Sequence, residues 1–293
     1  TTSTTLNWIH LSTTDGSLES PNPGNGACSG WCTDSAYNLP EARSNYSLVA
    51  YNGFLYVIGG LNGSGVPQTT IYVAKLGANG EPQLWNPTWN PTTDPTKTTW
   101  SYWYTNNVSL SSARSDITAA AYNNRLYVMG GRAASNTIVS TVEVADLTPT
   151  GQIGSWSAQT ALPYNAYGHG VAVYNDRLYI IGGSSTVGGG PRTDVYYNKI
   201  NTNGTINSWQ QTSSFATGRF SGGGNFVTVW GAFMYISGGC SAANASGYCS
   251  TVQSNTQVAS INTDGSLDVW NTVGTVSNQR FGHGLFAWRD NIY

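Results

Sequence analysis

The stretch YNGFLYVIGG at 51–60 returns three more times, as YNNRLYVMGG at 122–131, YNDRLYIIGG at 174–183 and WGAFMYISGG at 230–239. A fifth copy, WRDNIY at 288–293, stops before its Gly-Gly. In the copies, apolar residues alternate around a short turn such as N-G, N-N or N-D, which is typical of two antiparallel strands joined by a tight hairpin. One tyrosine holds the same place in every copy: Tyr56, Tyr127, Tyr179, Tyr235 and Tyr293. A shared register predicts a shared packing role for these tyrosines.

A second element follows each Gly-Gly, and it reads VAKLGANGEPQLW at 73–85, VADLTPTGQIGSW at 144–156, YNKINTNGTINSW at 197–209 and VASINTDGSLDVW at 258–270. Each copy has a turn glycine five places before a tryptophan: Trp85, Trp156, Trp209 and Trp270. This element predicts another hairpin, so each unit has four antiparallel strands, named A to D. Four-stranded units repeated at about 50 residues are the pattern of a β-propeller.

The repeat resembles that of the kelch family. The resemblance rests on the apolar-Gly-Gly after strand B, the tyrosine of strand B, the tryptophan of strand D and an arginine before strand A, present as Arg43, Arg114, Arg219 and Arg280. It departs from the kelch pattern in the third unit, where Ala166 replaces the arginine, and in its irregular spacing. It implies an all-β, kelch-type propeller that occupies 1–293 as a single domain.

Five repeat units are visible, and the last one stops inside a strand. A copy of the C–D hairpin at about 8–20 could complete the unit begun by 280–293 and give five blades. Because kelch-like rings usually have six or seven blades, we instead expect the natural chain to continue. We expect residues 1–7 to be the end of a linker.

The chain has few charges. Only 9% of its 293 residues are charged and the net charge is -2, which excludes the clustered Lys and Arg of nucleic-acid binding and of polybasic membrane patches. With 39% hydrophobic residues the chain can bury a core. No apolar run approaches the roughly 18 residues of a membrane span, so no transmembrane segment is predicted. A surface rich in Ser, Thr and Asn is typical of extracellular or cell-surface proteins.

The four cysteines form two local pairs, Cys28/Cys32 and Cys240/Cys249. Three disulfide connectivities are possible; we predict the local one, which implies an oxidising compartment. The alternative is a metal site, although neither spacing matches the usual Cys-x2-Cys of zinc. Glycosylation candidates are the sequon asparagines, Asn45, Asn62, Asn107, Asn203 and Asn244, although a chain rich in Ser, Thr and Asn generates sequons by chance.

The long connections are predicted to share one face. In an antiparallel meander the A–B and C–D turns lie on one face, and the B–C and D–A loops lie on the other. The predicted insertions are D–A loops at 21–40 and 86–112 and a B–C loop at 240–255. Since binding sites tend to lie on variable loops of a rigid scaffold, this face is the predicted binding face.

Candidate ligand-binding residues on that face are the four arginines, Arg43, Arg114, Arg219 and Arg280, and the aromatic residues Trp31, Trp89, Trp100, Trp103 and Tyr248. The arginines could ring the channel mouth and hold a carboxylate, for example of an acidic sugar. Alternatively, each could hydrogen-bond blade carbonyls and hold the ring together. The aromatic residues of 86–112 could stack on sugars or anchor a protein, or only pack the insertion against the rim.

No catalytic constellation is recognised. His169 and His283 stand in Gly-His-Gly at matching positions. Kelch-like oxidases hold copper with Tyr and His, but the matching positions give these histidines a structural explanation, and no metal or other cofactor is predicted. No paired carboxylates or phosphate-binding glycine loop appear.

The sequence therefore favours an extracellular or cell-surface, non-enzymatic protein for adhesion, glycan binding or surface assembly. Its partner would be a glycan, a protein or a second copy on the long-loop face. The alternative is a secreted carbohydrate-active kelch enzyme, oxidase-like or epimerase-like, with an arginine-lined site at the channel mouth.

Overall fold

The structure, a computed structural model, describes residues 38–78, 80, 82–85, 101–288 and 291–293, with the backbone of two short strands before them. These two strands, β1 (His10–Leu11) and β2 (Leu18–Glu19), pair antiparallel. The rest of the described chain forms four complete blades and the beginning of a fifth. The all-β kelch-type propeller predicted from the repeat is confirmed.

Each complete blade is one antiparallel sheet in the order A, B, C, D. Blade 1 contains β3 to β7, which are Ser47–Tyr51, Phe54–Ile58, Ile71–Leu76, Pro82–Gln83 and Tyr104–Thr105. Blade 2 contains β8 to β11, which are Thr118–Tyr122, Arg125–Met129, Val142–Asp146 and Ser157–Ala158. Blade 3 contains β12 to β15, which are Gly170–Tyr174, Arg177–Ile181, Val195–Lys199 and Gln210–Thr212.

Blade 4 carries an extra hairpin in its B–C connection. In chain order, β16 to β21 are Val227–Trp230, Phe233–Ser237, Cys240–Ala243, Cys249–Val252, Asn255–Ser260 and Asn271–Thr275. The extra hairpin is β18–β19, and the other four strands form the blade. Blade 5 is represented by β22 (Ala287–Trp288) and β23 (Asn291–Ile292). Within the described residues the helical structure is the 3-10 turn Ala134–Asn136, so no helix there is long enough to cross a membrane.

The innermost strands stand next to one another around the axis, because β3 contacts β8, β8 contacts β12, β12 contacts β16 and β16 contacts β22. The core lies between the blades, in separate apolar clusters at each interface. The repeated tyrosines take part in these interfaces. The hydroxyl of Tyr127 in blade 2 donates to the carbonyl of Gly204 in blade 3 at 2.9 Å, and Tyr179 repeats this contact with Gly265 of blade 4 at 2.8 Å.

Strand D of blade 1 is interrupted, which corrects the predicted position of one insertion. Gln83 pairs with Lys75, whereas Tyr104 pairs with Val73 of the same strand, and a bridge between Trp85 and Ser101 lies between the two pairs. The segment 86–112 is therefore not one D–A loop. Strand D resumes at Trp103, before the pairing of Tyr104 with Val73, and the chain after Thr105 connects to blade 2. Trp89 and Trp100 lie outside the described residues.

The same pairing changes which tryptophan of blade 1 belongs to the repeat. Tyr104 pairs with Val73 as Ser157 pairs with Val144, so Trp103 is the structural counterpart of Trp156. Trp103 is only 4% exposed and packs with Leu39, Leu55, Val57, Tyr72 and Ala74. Trp85, to which the turn spacing assigned this role, packs instead with blade 2 in the next interface.

Candidate functional site

Three of the four strand-A arginines, Arg43, Arg114 and Arg219, are buried inside the blades rather than placed in an open channel mouth. The guanidinium of Arg114 donates to the carbonyl of Gly130 at 3.2 Å and to Thr141 Oγ1 at 2.6 Å, and it pairs with the carboxylate of Glu143. All of these partners belong to blade 2, the blade that Arg114 opens.

Blade 4 repeats this arrangement with a neutral partner. Arg219 donates to the carbonyls of Gly238 at 2.9 Å and Asn255 at 3.1 Å, and to Gln257 Oε1 at 3.1 Å. Burial lowers the pKa of Arg219 to about 10, and it lowers the pKa of Arg114 although Glu143 opposes the shift. Both side chains are fully buried, so neither guanidinium faces solvent.

Arg43 and Arg280 complete the predicted set. Arg43 is buried, contacts Thr70 and Tyr72 in blade 1, and pairs with Glu41 at 2.7 Å. Arg280, which opens the incomplete blade 5, is exposed. The four arginines thus hold equivalent backbone positions, but the structure does not bring their charges together around a ligand space.

The backbone carbonyl at the strand-A arginine position of blades 2 to 5 accepts a hydrogen bond from the preceding blade. Gly60 N–H donates to the Arg114 carbonyl at 2.9 Å, and Gly183 N–H donates to the Arg219 carbonyl at 2.7 Å. The same bond joins Gly131 to Ala166, although the third unit lacks the arginine. The main chain at this position therefore joins adjacent blades, while the arginine side chain joins the strands within one blade.

On the loop face, a hydrogen-bond network surrounds the carboxylate of Asp116, which is almost fully buried. It accepts hydrogen bonds from Asn45 Nδ2 at 2.6 Å, Arg132 Nε at 2.7 Å and Ser115 Oγ at 2.9 Å. The Arg132 guanidinium also lies 4.9 Å from the ring centre of Tyr167. Asn45 is a predicted glycosylation candidate, but its amide is used in this network, which joins blade 1 to blade 2.

An aromatic arc lies beside this network. The residue after the arginine position is Tyr167 in the third unit, Phe220 in the fourth and Phe281 in the fifth. Neighbouring rings meet edge to face, with centres 5.7 Å apart for the first pair and 5.6 Å for the second. Neither this arc nor Arg132 is among the site residues predicted from the sequence. Alignment of the repeats at the arginine position would have revealed the arc. The next residue is aromatic in units three to five, whereas the first two units have Ser44 and Ser115 at that position.

The disulfide-tied hairpin β18–β19 stands on this arc. Cys240 and Cys249 are joined, as the local pairing predicts, and both pack against Tyr167 and Phe220. Tyr248, next to the second cysteine, is 72% exposed. The structure therefore places Tyr248 on a covalently anchored hairpin of the loop face. Cys28, Cys32 and Trp31 lie outside the described residues.

The two Gly-His-Gly histidines have packing roles. His169 is fully buried between Gly130 of blade 2 and Gly183 of its own blade, and its Nε2 contacts Thr118 Oγ1. His283 Nε2 lies 3.0 Å from the carbonyl of Ser237. Among the residues that the structure describes, no group of three His, Cys, Asp or Glu side chains is arranged to hold a metal ion.

The burial of His169 predicts a loss of stability in acid. Burial lowers the pKa of His169 to about 3 in the folded protein, whereas an unfolded histidine titrates near 6.5. The folded state therefore binds fewer protons, so the contribution is complete above about pH 6.5 and falls by roughly 1.4 kcal/mol per pH unit below it. We expect His169→Ile to reduce this pH dependence. Isoleucine is chosen because Ile117 occupies the equivalent position in blade 2. Urea unfolding of both proteins between pH 7 and pH 4 measures it; identical slopes would contradict the assignment.

The comparisons with known proteins agree with the fold. The kelch motif family matches residues 113–147, from just before Arg114 through strand C of blade 2. Kelch repeat protein M-T8 of Myxoma virus (strain Lausanne) is 26% identical over 203 residues, which are 69% of this chain and 33% of that protein. Spermatocyte protein spe-26 of Caenorhabditis elegans is 32% identical over 156 residues, 52% of this chain and 23% of that protein. The chain thus spans a third or less of the length of these relatives.

A solved structure shows the same architecture. The structure of YjhT matches with a TM-score of 0.65 over 99% of this chain and 83% of that chain, at 16% sequence identity. This likeness shows the fold alone. Four-stranded blades, glycine pairs that bond the next blade and the kelch motif at 113–147 occur together in one chain. The chain folds as a kelch-type β-propeller and contains a kelch motif at 113–147.

Proposed function

We propose that this propeller is an extracellular or cell-surface binding and assembly protein that works without catalysis and uses its loop face. The kelch propeller fold itself suggests a role in binding or assembly. The observation that carries the finer proposal is the disulfide-tied hairpin β18–β19, which displays Tyr248 above the aromatic arc. An aromatic side chain on a rigid support loses little conformational entropy on binding, which is why such residues dominate many interfaces.

The chemistry of the hairpin supports an uncharged contact surface. The sequence from Cys240 to Gln253 contains no Lys, Arg, Asp or Glu, so partner contact there would depend on the tyrosine ring and on backbone and hydroxyl groups. The disulfide supports an oxidising, extracellular location. The predicted arginine-lined enzyme site has less support, because three of the four guanidinium groups are buried within blades.

The test compares Tyr248→Ser with Val269→Ser. Val269 is the matched control because it is 74% exposed and belongs to blade 4 but precedes its outer strand. We expect Tyr248→Ser to weaken partner binding by about tenfold or more, as for an aromatic anchor, without lowering the melting temperature. Glycan arrays and sedimentation at increasing protein concentration distinguish a glycan from a second copy as the partner. Equal binding by wild type, Tyr248→Ser and Val269→Ser would contradict the proposed surface.

A further inference from the structure

A cavity of about 320 Å³ lies at the rim of the propeller, between blade 1 and blade 2. Blade 1 contributes Val73, Trp85 and Tyr104, the connection to blade 2 contributes Asn107, and the C–D turn of blade 2 contributes Gln152 and Ile153. Its size falls within the roughly 300–1,000 Å³ of small-molecule sites. The cavity is separate from the loop-face hairpin.

Two departures from the repeat line this cavity. Tyr104 occupies the strand-D position that the other complete blades fill with Ser157, Gln210 and Asn271, as their pairing with strand C shows. Trp85 faces blade 2 because the insertion leaves Trp103 to take the position of the repeated tryptophan. The rings of Trp85 and Tyr104 meet edge to face with centres 5.3 Å apart. Blade 1 therefore has an aromatic residue, Tyr104, where the other complete blades have a polar one, and Trp85 packs against it.

The cavity lining combines aromatic rings with uncharged polar groups. Thr105, Asn106, Asn107 and Gln152 provide hydroxyl and amide groups, and the described lining contains no Lys, Arg, His, Asp or Glu. The amide of Asn106 is held in place, since its Oδ1 accepts a hydrogen bond from Val108 N–H at 3.0 Å. Rings that stack on C–H faces and amides that pair with hydroxyls suit a polyhydroxylated ring. The lack of charge disfavours an ionic ligand.

Trp85 adds an independent observation. Trp85 is only 7% exposed, yet its indole Nε1 has no hydrogen-bond partner among the described residues. Trp156 of blade 2 also has no partner for its indole among these residues, whereas Trp209 donates to Thr160 and Trp270 donates to Ser213 in blades 3 and 4. An unpaired buried donor destabilises the folded protein, and an acceptor on a bound molecule would remove that cost. We infer that the cavity between blades 1 and 2 binds one neutral sugar ring.

The sugar can come from a glycan attached to this chain or from a separate glycan, since both have the same chemistry. Asn107 lines the cavity, is exposed, and begins the sequon Asn107-Val108-Ser109. A glycan attached to Asn107 could thus place its own sugar against the aromatic rings; otherwise the sugar belongs to a separate glycan. The inference does not depend on the loop-face function, because no cavity residue belongs to the β18–β19 hairpin.

The test measures the binding of neutral and acidic monosaccharides and disaccharides to unglycosylated protein. Calorimetry and tryptophan fluorescence detect this binding. We expect neutral sugars to bind, and we expect Tyr104→Ser and Gln152→Ala each to weaken binding by about tenfold. Gln210→Ala is the matched control, because it removes an exposed residue at the position equivalent to Tyr104 in blade 3. Unchanged melting temperatures would show that the variants fold.

A second arm identifies the source. The protein is produced in a host that attaches N-glycans, alongside Ser109→Ala, which removes the sequon and keeps Asn107. If mass spectrometry finds a glycan on Asn107, and only Ser109→Ala binds free sugar, the attached glycan fills the cavity. If both bind, the ligand is a separate glycan. The inference is overturned if neither form binds a neutral sugar, if acidic sugars or peptides alone bind, or if Tyr104→Ser binds as well as wild type. Tyr248→Ser should leave this binding unchanged.

Discussion

Gly182→Ala is expected to destabilise the protein by about 3–5 kcal/mol, near the upper end for a single substitution. Gly182 is the first glycine of the pair in blade 3 and has a φ of +62°, a conformation that costs residues with a side chain about 1–2 kcal/mol. A Cβ at this position would lie 2.6 Å from the carbonyl oxygen of Arg219, which already accepts the bond from Gly183. The methyl group would therefore push blade 3 away from blade 4.

Gly190→Ala is the matched control, because Gly190 lies in the B–C connection of the same blade and an added Cβ would meet no atom within 4 Å. We expect Gly190→Ala to change stability by no more than about 0.5 kcal/mol. Urea unfolding followed by tryptophan fluorescence measures both variants. Equal stabilities of Gly182→Ala and Gly190→Ala would show that the glycine pair does not hold neighbouring blades together.

Arg114→Met is expected to cost about 3–5 kcal/mol, because it leaves the largely buried carboxylate of Glu143 without its cation. It also removes the donors to Gly130 and Thr141. Glu143→Gln should cost less, about 1–2 kcal/mol, because blade 4 already pairs Arg219 with a neutral Gln257.

The double variant Arg114→Met/Glu143→Gln separates these effects. It contains no unpaired carboxylate, so we expect it to be more stable than the sum of the two single changes predicts, by about 1 kcal/mol or more. Unfolding free energies of the four proteins give this coupling energy. Strict additivity, or an Arg114→Met protein as stable as wild type, would contradict a structural role for the pair.

The repeat allowed much of the fold to be predicted because its residues act locally and in the same way in each blade. The hairpin turns, the four strands and the buried tyrosines follow from alternating apolar residues and turn chemistry. The Gly-Gly pair was recognisable as a motif. The reason for the two glycines could not be predicted from the sequence. In the packed structure, a backbone carbonyl from the arginine position of the next blade lies against each pair and leaves no room for a side chain.

The prediction that Trp85 is the strand-D tryptophan of blade 1 was wrong, because it relied on a spacing that gives no information on strand register. Trp85 stands five residues after its turn glycine, as Trp156 does, so the sequence assigned both to the repeat. The hydrogen bonds between Val73 and Tyr104 show instead that Trp103 continues strand D. A sequence pattern cannot show at which point an inserted segment rejoins a strand, because the pairing partner is selected by packing.

The loop-face site could be predicted only in part. Cysteine spacing was enough to predict the Cys240–Cys249 pair, and Tyr248 was a candidate because it stands in that loop. The contact of Arg132 with Asp116 joins a B–C loop to the start of a strand A, 16 residues away. Nothing in the repeat indicates such a contact, since the other units do not have the same residue pair.

Residues that keep the repeat and residues that depart from it have different roles in this propeller. Repeated glycines, tyrosines and strand-A arginines hold strands and blades together. The exposed Tyr248 and the aromatic pair Trp85 and Tyr104 occur once, and both proposed binding surfaces depend on them. This division is physically reasonable, because a residue that must fill the same space in every blade is not available for a ligand.

Reaction of the folded protein with an arginine-selective dicarbonyl reagent, followed by mass spectrometry of peptides, tests this separation most directly. We expect the exposed Arg280 to be modified rapidly, whereas Arg114 and Arg219 should react only when the protein is unfolded in urea. Rapid modification of Arg114 or Arg219 in the folded protein would contradict it, because those guanidinium groups would then be open to solvent and available to a ligand.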